Sequence, residues 1–135
     1  MSKRLVGLIV FLILVALFTV SCSGGTTSTS IGGAKIEMGD DYDDDLYIVS
    51  PRTTFAPGEG FYVSFDNNAS FDTDSVTIQA NDTETDELFG EITYNVDPEW
   101  TIMVTEPINI GEAGKYKFKA IVNGSVRATQ DIIIE

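Results

Sequence analysis

The sequence predicts an all-β domain, an antiparallel β-sandwich of about seven short strands. Three observations predict it. Apolar residues beyond Lys35 recur with a period of two, the spacing of a half-buried strand. Turn-forming residues separate these runs at regular intervals. No window after residue 22 carries the apolar stripe of a long amphipathic helix.

The runs follow in order. Phe61, Val63 and Phe65 alternate with Tyr62 and Ser64, and Val76 and Ile78 alternate with Thr77 and Gln79. Ile92, Tyr94 and Val96 alternate with polar neighbours, as do Trp100, Ile102 and Val104 with Thr101 and Met103. Tyr116, Phe118, Ala120 and Val122 are expected to point inward, with Lys115, Lys117 and Lys119 on the outward face. The last run holds Val126, Ala128, Ile132 and Ile134; Gln130 interrupts it and is expected to mark a bulge or an edge. Pro57-Gly58 suits a type II turn, because proline fixes φ and glycine supplies the positive φ that follows. Asn123-Gly124 suits the type I′ turn of a two-residue hairpin. Asp66-Asn67-Asn68 and Asn81-Asp82 mark further loops.

The 135-residue chain accommodates one small domain, expected at 35–135. It contains no histidine, which removes the commonest general base and metal ligand. It has one cysteine, so the domain must be held by packing, without a disulfide. After residue 21 there are 6 basic and 21 acidic residues, a net charge of −15. That charge opposes binding to nucleic acid and to anionic lipid head groups. Ser and Thr have no histidine to activate them, and no phosphate-binding loop is present, so no catalytic residue is assigned.

At the N-terminus, Lys3 and Arg4 precede an apolar run of 16 residues, Leu5 to Val20. That is an export-signal pattern, although its length lies between a signal core and a membrane-spanning helix. The run ends in Thr19-Val20-Ser21-Cys22, which resembles the lipobox of bacterial lipoproteins. The resemblance implies a signal peptide at 1–21, cleavage after Ser21 and acylation of Cys22, which would anchor the chain in a membrane. With Ser23 and not Asp after the cysteine, it points to the outer membrane where the cell envelope has one. An uncleaved anchor and cleavage by ordinary signal peptidase are the alternatives. Residues 22–34, nearly all Gly, Ser and Thr after the cysteine, are expected to form a flexible tether.

Glu112-Ala113-Gly114-Lys115-Tyr116-Lys117-Phe118 resembles the acidic-x-Gly-x-Tyr-x-Cys signature of immunoglobulin-like domains. The resemblance implies an immunoglobulin-like sandwich with Tyr116 in a tyrosine corner. Phe118 stands where the disulfide cysteine would be, and the facing run Phe61–Phe65 also lacks cysteine.

Asp40-Asp41-Tyr42-Asp43-Asp44-Asp45 is the densest polar feature. Asp41, Asp43 and Asp45 have the spacing that opens an EF-hand loop, but Leu46 replaces the required glycine and Arg52 the bidentate glutamate. The three remain candidates for a looser Ca²⁺ site; the plainer reading is a solvated acidic segment. Asp66-Asn67-Asn68 and Asp72-Thr73-Asp74 form a second polar group that loop chemistry explains. The Lys115, Lys117 and Lys119 stripe reads as a solvated face with cross-strand pairs, or else as a docking face. The expected function is therefore a lipid-anchored, non-catalytic binding or adaptor module of the cell envelope, engaging a protein or glycan. The alternatives are a Ca²⁺-dependent adhesion or scaffold module and an accessory subunit of a larger envelope complex.

Overall fold

The Asn123-Gly124 turn joins the two longest strands of the domain, and the computed structural model, which describes residues 27–135, gives it type I′ geometry. Both central residues have positive φ, 52° and 79°, and Val122 faces Ser125 directly across the turn. The strands it joins are β8 (Gly114–Val122) and β9 (Ser125–Ile134). Seven others complete the described residues: β1 (Ser28–Ser30), β2 (Lys35–Gly39), β3 (Thr54–Phe55), β4 (Tyr62–Asp66), β5 (Ser75–Asp82), β6 (Leu88–Asn95) and β7 (Ile102–Val104). The Pro57-Gly58 turn also forms, closed by the Glu59 N–H donating to the Ala56 carbonyl at 3.0 Å.

The strands make two sheets. One runs β1-β9-β8-β5-β6, with β3 added on β9; the other runs β2-β4-β7. This is an immunoglobulin-like β-sandwich, with β5, β8 and β9 opposite β2, β4 and β7. All pairings are antiparallel except one: β3 runs parallel to the end of β9, Thr54 facing Ile133 and Phe55 facing Ile134. The core between the sheets contains Phe55, Phe61, Phe65, Phe71 and Phe118, each almost fully buried. The expected inward set of β8, Tyr116, Phe118, Ala120 and Val122, is buried throughout. The Tyr116 hydroxyl donates to the Glu112 carbonyl at 2.9 Å, which is the tyrosine corner.

Four details differ from the sequence expectations. In β7 it is Met103 that enters the core, while Ile102 and Val104 are half-buried and Trp100 is exposed. Met103 lies opposite buried Phe65 in the ladder, and directly opposed residues share a face, so the phase is shifted by one residue. In β9 the bulge falls at Arg127, not Gln130: Ala120 faces Ala128, but Ile121 already faces Val126. Ser64 is buried because the loop after β2 folds over it, and its hydroxyl donates to the Leu46 carbonyl at 2.7 Å.

The fourth concerns the N-terminal segment. Ser28–Ser30, within the stretch read as a tether, pairs with Ala128 to Gln130. Hydroxyls read as spacer chemistry bond across the ladder, Thr29 to Thr129 at 2.7 Å and Thr27 to the Asp131 carboxylate at 3.0 Å. The chain then turns at Gly32-Gly33, where a Cβ on Gly33 would lie 2.6 Å from the Asn68 amide nitrogen. Cys22 and the segment before it lie outside the described residues.

Candidate functional site

Among the described residues one flank is left partly uncovered. In constant-type immunoglobulin domains a fourth strand borders the three-stranded sheet next to the position of β7. Here β6 occupies the other sheet, against β5, and only the three-residue β7 ends the smaller layer. The inner face of β6 therefore extends past its covering sheet. Ile92 sits opposite buried Ile78 and Tyr94 opposite buried Val76, so both point inward, yet Ile92 is 48% exposed. Phe89 is the extra residue of a bulge, since Ala80 faces Gly90 and Asn81 faces Leu88. It packs edge-on against Tyr116 at 4.9 Å and is still about half exposed.

Two hollows follow this face. The larger, about 450 Å³, is lined by Tyr94, Val96, Trp100, Ile102 and Val104 among others. The smaller, about 240 Å³, is lined by Ile78, Phe89, Ile92, Ile108 and Ile110 among others. Neither lining includes lysine or arginine; Glu99 borders the first and Glu91 the second. The Tyr94 hydroxyl is held protonated to higher pH than usual, first by burial and then by the nearby Glu106 carboxylate. Beyond this face β6 ends its sheet, so among the described residues no strand pairs with its outer side. The flank thus combines an apolar trough with a row of backbone donors and acceptors that has no ladder partner. Both are features that strand addition uses.

The residues singled out in the sequence lie elsewhere. Asp41, Asp43 and Asp45 sit in an exposed loop closed by the Tyr42–Ile48 bridge. The Asp43 carboxylate accepts the amides of Asp45 at 2.9 Å and Tyr47 at 3.0 Å, and so shapes its own loop. Asp40 pairs with Arg52, which also holds Glu59 and lies over the Phe55 ring. These two carboxylates strengthen the hold of Arg52 on its proton, and Glu59 titrates below its usual range because it accepts the Ala56 amide and the Arg52 guanidinium. Among the described residues no group of three or more acidic or cysteine side chains is placed to hold a metal ion.

The second polar group is structural. The Asn67 amide donates to the Ala69 and Ser70 carbonyls, Asn68 to the Gly32 carbonyl, and Arg127 to the Asn67 side chain at 2.9 Å. In the lysine stripe, Lys117 makes a cross-strand pair with largely buried Asp131 at 2.9 Å, and Lys119 reaches Asp86 in the turn between β5 and β6 at 4.0 Å.

The open flank was not anticipated from sequence. The alternation of Ile92 and Tyr94 gave their face correctly but could not show that Ile92 is left half exposed there. One signal was available: between Asn95 and Glu112 there is a single short alternating run, too little chain for two covering strands.

No family model matches the chain, and no curated protein sequence matches it. Among solved structures it is similar to a DUF3244 family protein with an immunoglobulin-like β-sandwich fold from Bacteroides vulgatus ATCC 8482. The two share 16% identity over 76% of this chain and 99% of that one, with a TM-score of 0.39.

Proposed function

We propose that the chain is a lipid-anchored, non-catalytic adaptor of the bacterial cell envelope that binds a partner protein through its open flank. The observation that carries the binding surface is the unpaired edge of β6 beside an apolar trough. Anchoring rests on the lipobox-like residues ending at Cys22, and Ser23 after the cysteine favours the outer membrane where the cell envelope has one. A non-catalytic role agrees with a chain that has no histidine and places its one cysteine at the proposed acylation site.

The geometry suits display. In the larger sheet β1 and β6 are opposite edges, four strand spacings apart, about 19 Å. The chain enters the domain at β1, so the tethered edge and the open edge lie on opposite sides. A domain held at one edge presents the other to a partner.

The test has two arms in the native host. Acyl labelling of the wild type and of Cys22→Ser checks the anchor: loss of label and accumulation of precursor are expected, and unchanged processing would remove it. Photocrosslinkers placed at Glu91, Ile92 and Thr29 check the surface. A discrete adduct from the two β6 positions and none from Thr29 is expected. Adducts from Thr29 alone would place the contact elsewhere.

A further inference from the structure

We propose that the β6 edge takes an extended polypeptide segment in which apolar side chains alternate with lysine or arginine. This rests on reading the open flank as the contact surface, and it adds the chemistry of the partner.

The argument starts from period two. A strand added to β6 continues its alternation, so every second side chain enters the trough and the others lie on the outer face. Ile92 borders the smaller hollow and Tyr94 the larger, two residues apart along the strand. The hollows are then spaced for side chains at i and i+2 of an incoming segment, about 6.6 Å apart. Their linings are mainly apolar and call for apolar side chains.

The outer face calls for the opposite chemistry. Glu91 projects there, where its carboxylate accepts from Gln79 at 3.0 Å. Glu84, Asp86 and Glu87 precede the strand and Asp97 and Glu99 follow it, with Asp86 already paired to Lys119 and Glu99 on the border of the larger hollow. No basic residue occurs between Arg52 and Lys115 in the sequence. The outer face of β6 itself presents Glu91, Thr93 and Asn95, so Glu91 is the carboxylate that an incoming strand meets there, and cross-strand pairs of opposite charge are the favourable ones. The same charges disfavour a second copy as occupant. Pairing two β6 edges would bring the acidic residues at both ends of one strand against those of another, on chains of net charge −13.

Trp100 reports the test directly. It is the single tryptophan, 52% exposed, and lines the larger hollow, so a segment lying in the trough shields it. The full chain, in detergent, is titrated at low salt with three blocked ten-residue peptides. Each alternates valine with a second residue that is mostly threonine and includes two lysines, two glutamates or two serines. The lysine peptide should shift Trp100 emission to shorter wavelength and bind at least tenfold more tightly than the glutamate peptide, with the gap narrowing as salt is added. Glu91→Lys should reverse the preference, and Ile92→Lys should abolish binding of all three, because a charge pointing inward at an edge blocks strand addition. Thermal melts of both variants establish that they fold.

Equal binding of the lysine and serine peptides would overturn the charge requirement and leave the flank as the contact surface. Binding of none, or binding that Ile92→Lys leaves intact, would overturn strand addition at β6. Concentration-dependent dimerisation removed by Ile92→Lys would overturn the basic partner in favour of a second copy.

Discussion

Phe61 and Phe118 meet edge to face across the two sheets, their ring centroids 5.9 Å apart and their planes inclined at 73°. Phe118 stands where the immunoglobulin pattern has a disulfide cysteine, and Phe61 immediately precedes the strand that would supply the other. Phe55 stacks on Phe61 at 4.4 Å, so three rings fill the region that a covalent bond would otherwise cross. Aromatic pairing adds to the area the rings bury but restrains the unfolded chain not at all.

Phe118→Ala should therefore be severe. Removing a fully buried ring costs about 3–5 kcal/mol through lost burial and the cavity left behind. Denaturant unfolding followed by circular dichroism measures it. A loss below about 1 kcal/mol would show that the rings do not carry the link between the sheets.

Tyr116→Phe isolates the tyrosine corner. The ring stays and only the hydrogen bond to Glu112 goes, so a loss of about 1 kcal/mol at neutral pH is expected. The Tyr116 pKa is raised, first by burial and then by the Glu112 and Asp82 carboxylates. A raised pKa means that the protonated hydroxyl stabilises the fold. That contribution is fully present below the unfolded value near 10 and is lost as pH rises through the folded value. The gap between wild type and Tyr116→Phe should narrow above pH of about 10. Tyr94 and Tyr47, also raised, titrate in both proteins and cancel in the difference.

Met103→Ala and Trp100→Ala separate the core from the flank. Met103 is buried opposite Phe65, so its truncation should cost about 2–3 kcal/mol. Trp100 is exposed on the rim of the larger hollow, and its loss should change stability by no more than about 0.5 kcal/mol. The reverse ranking would restore the phase that alternation alone suggests for β7.

The contrast between β8 and β7 shows what was legible in the sequence and why. β8 alternates over nine residues beside a turn whose chemistry fixes its register, so its inward set could be read directly. β7 has three residues with apolar side chains on both faces, Ile102, Met103 and Val104, and no local signal selects between them. Its pairing with Phe65 does. The candidate site was less legible still. Its character comes from topology and not from any residue, since among the described residues no further strand borders β7. In the acidic loop, sequence gave the carboxylates but not the amides that Asp43 accepts.

That loop gives the fourth prediction. Asp43→Ala removes the acceptor for the Asp45 and Tyr47 amides, so those two should exchange hydrogen faster by about tenfold, while β8 and β9 keep wild-type rates. Millimolar Ca²⁺ should leave wild-type exchange in the loop unchanged, because one carboxylate oxygen is engaged by two amides. Protection of these amides on adding Ca²⁺, absent from Asp43→Ala, would instead make Asp41, Asp43 and Asp45 a cation site.

Arg127→Ala should release the β1 edge. The Arg127 carbonyl accepts the Ile31 amide at 2.9 Å, and its guanidinium holds Asn67, whose neighbour Asn68 donates to the Gly32 carbonyl. The side chain sits at the bulge of β9, where the ladder to β8 is already interrupted, so its loss weakens the β1 attachment more than the sandwich. Limited proteolysis should cut Arg127→Ala near residues 27–31 several-fold faster than wild type, with the melting temperature little changed. If β1 fixes which edge faces outward, crosslinking from Ile92 should also fall in cells while peptide binding by the purified chain stays the same. A parallel fall in both would mean that Arg127 acts on the flank itself and not on its presentation.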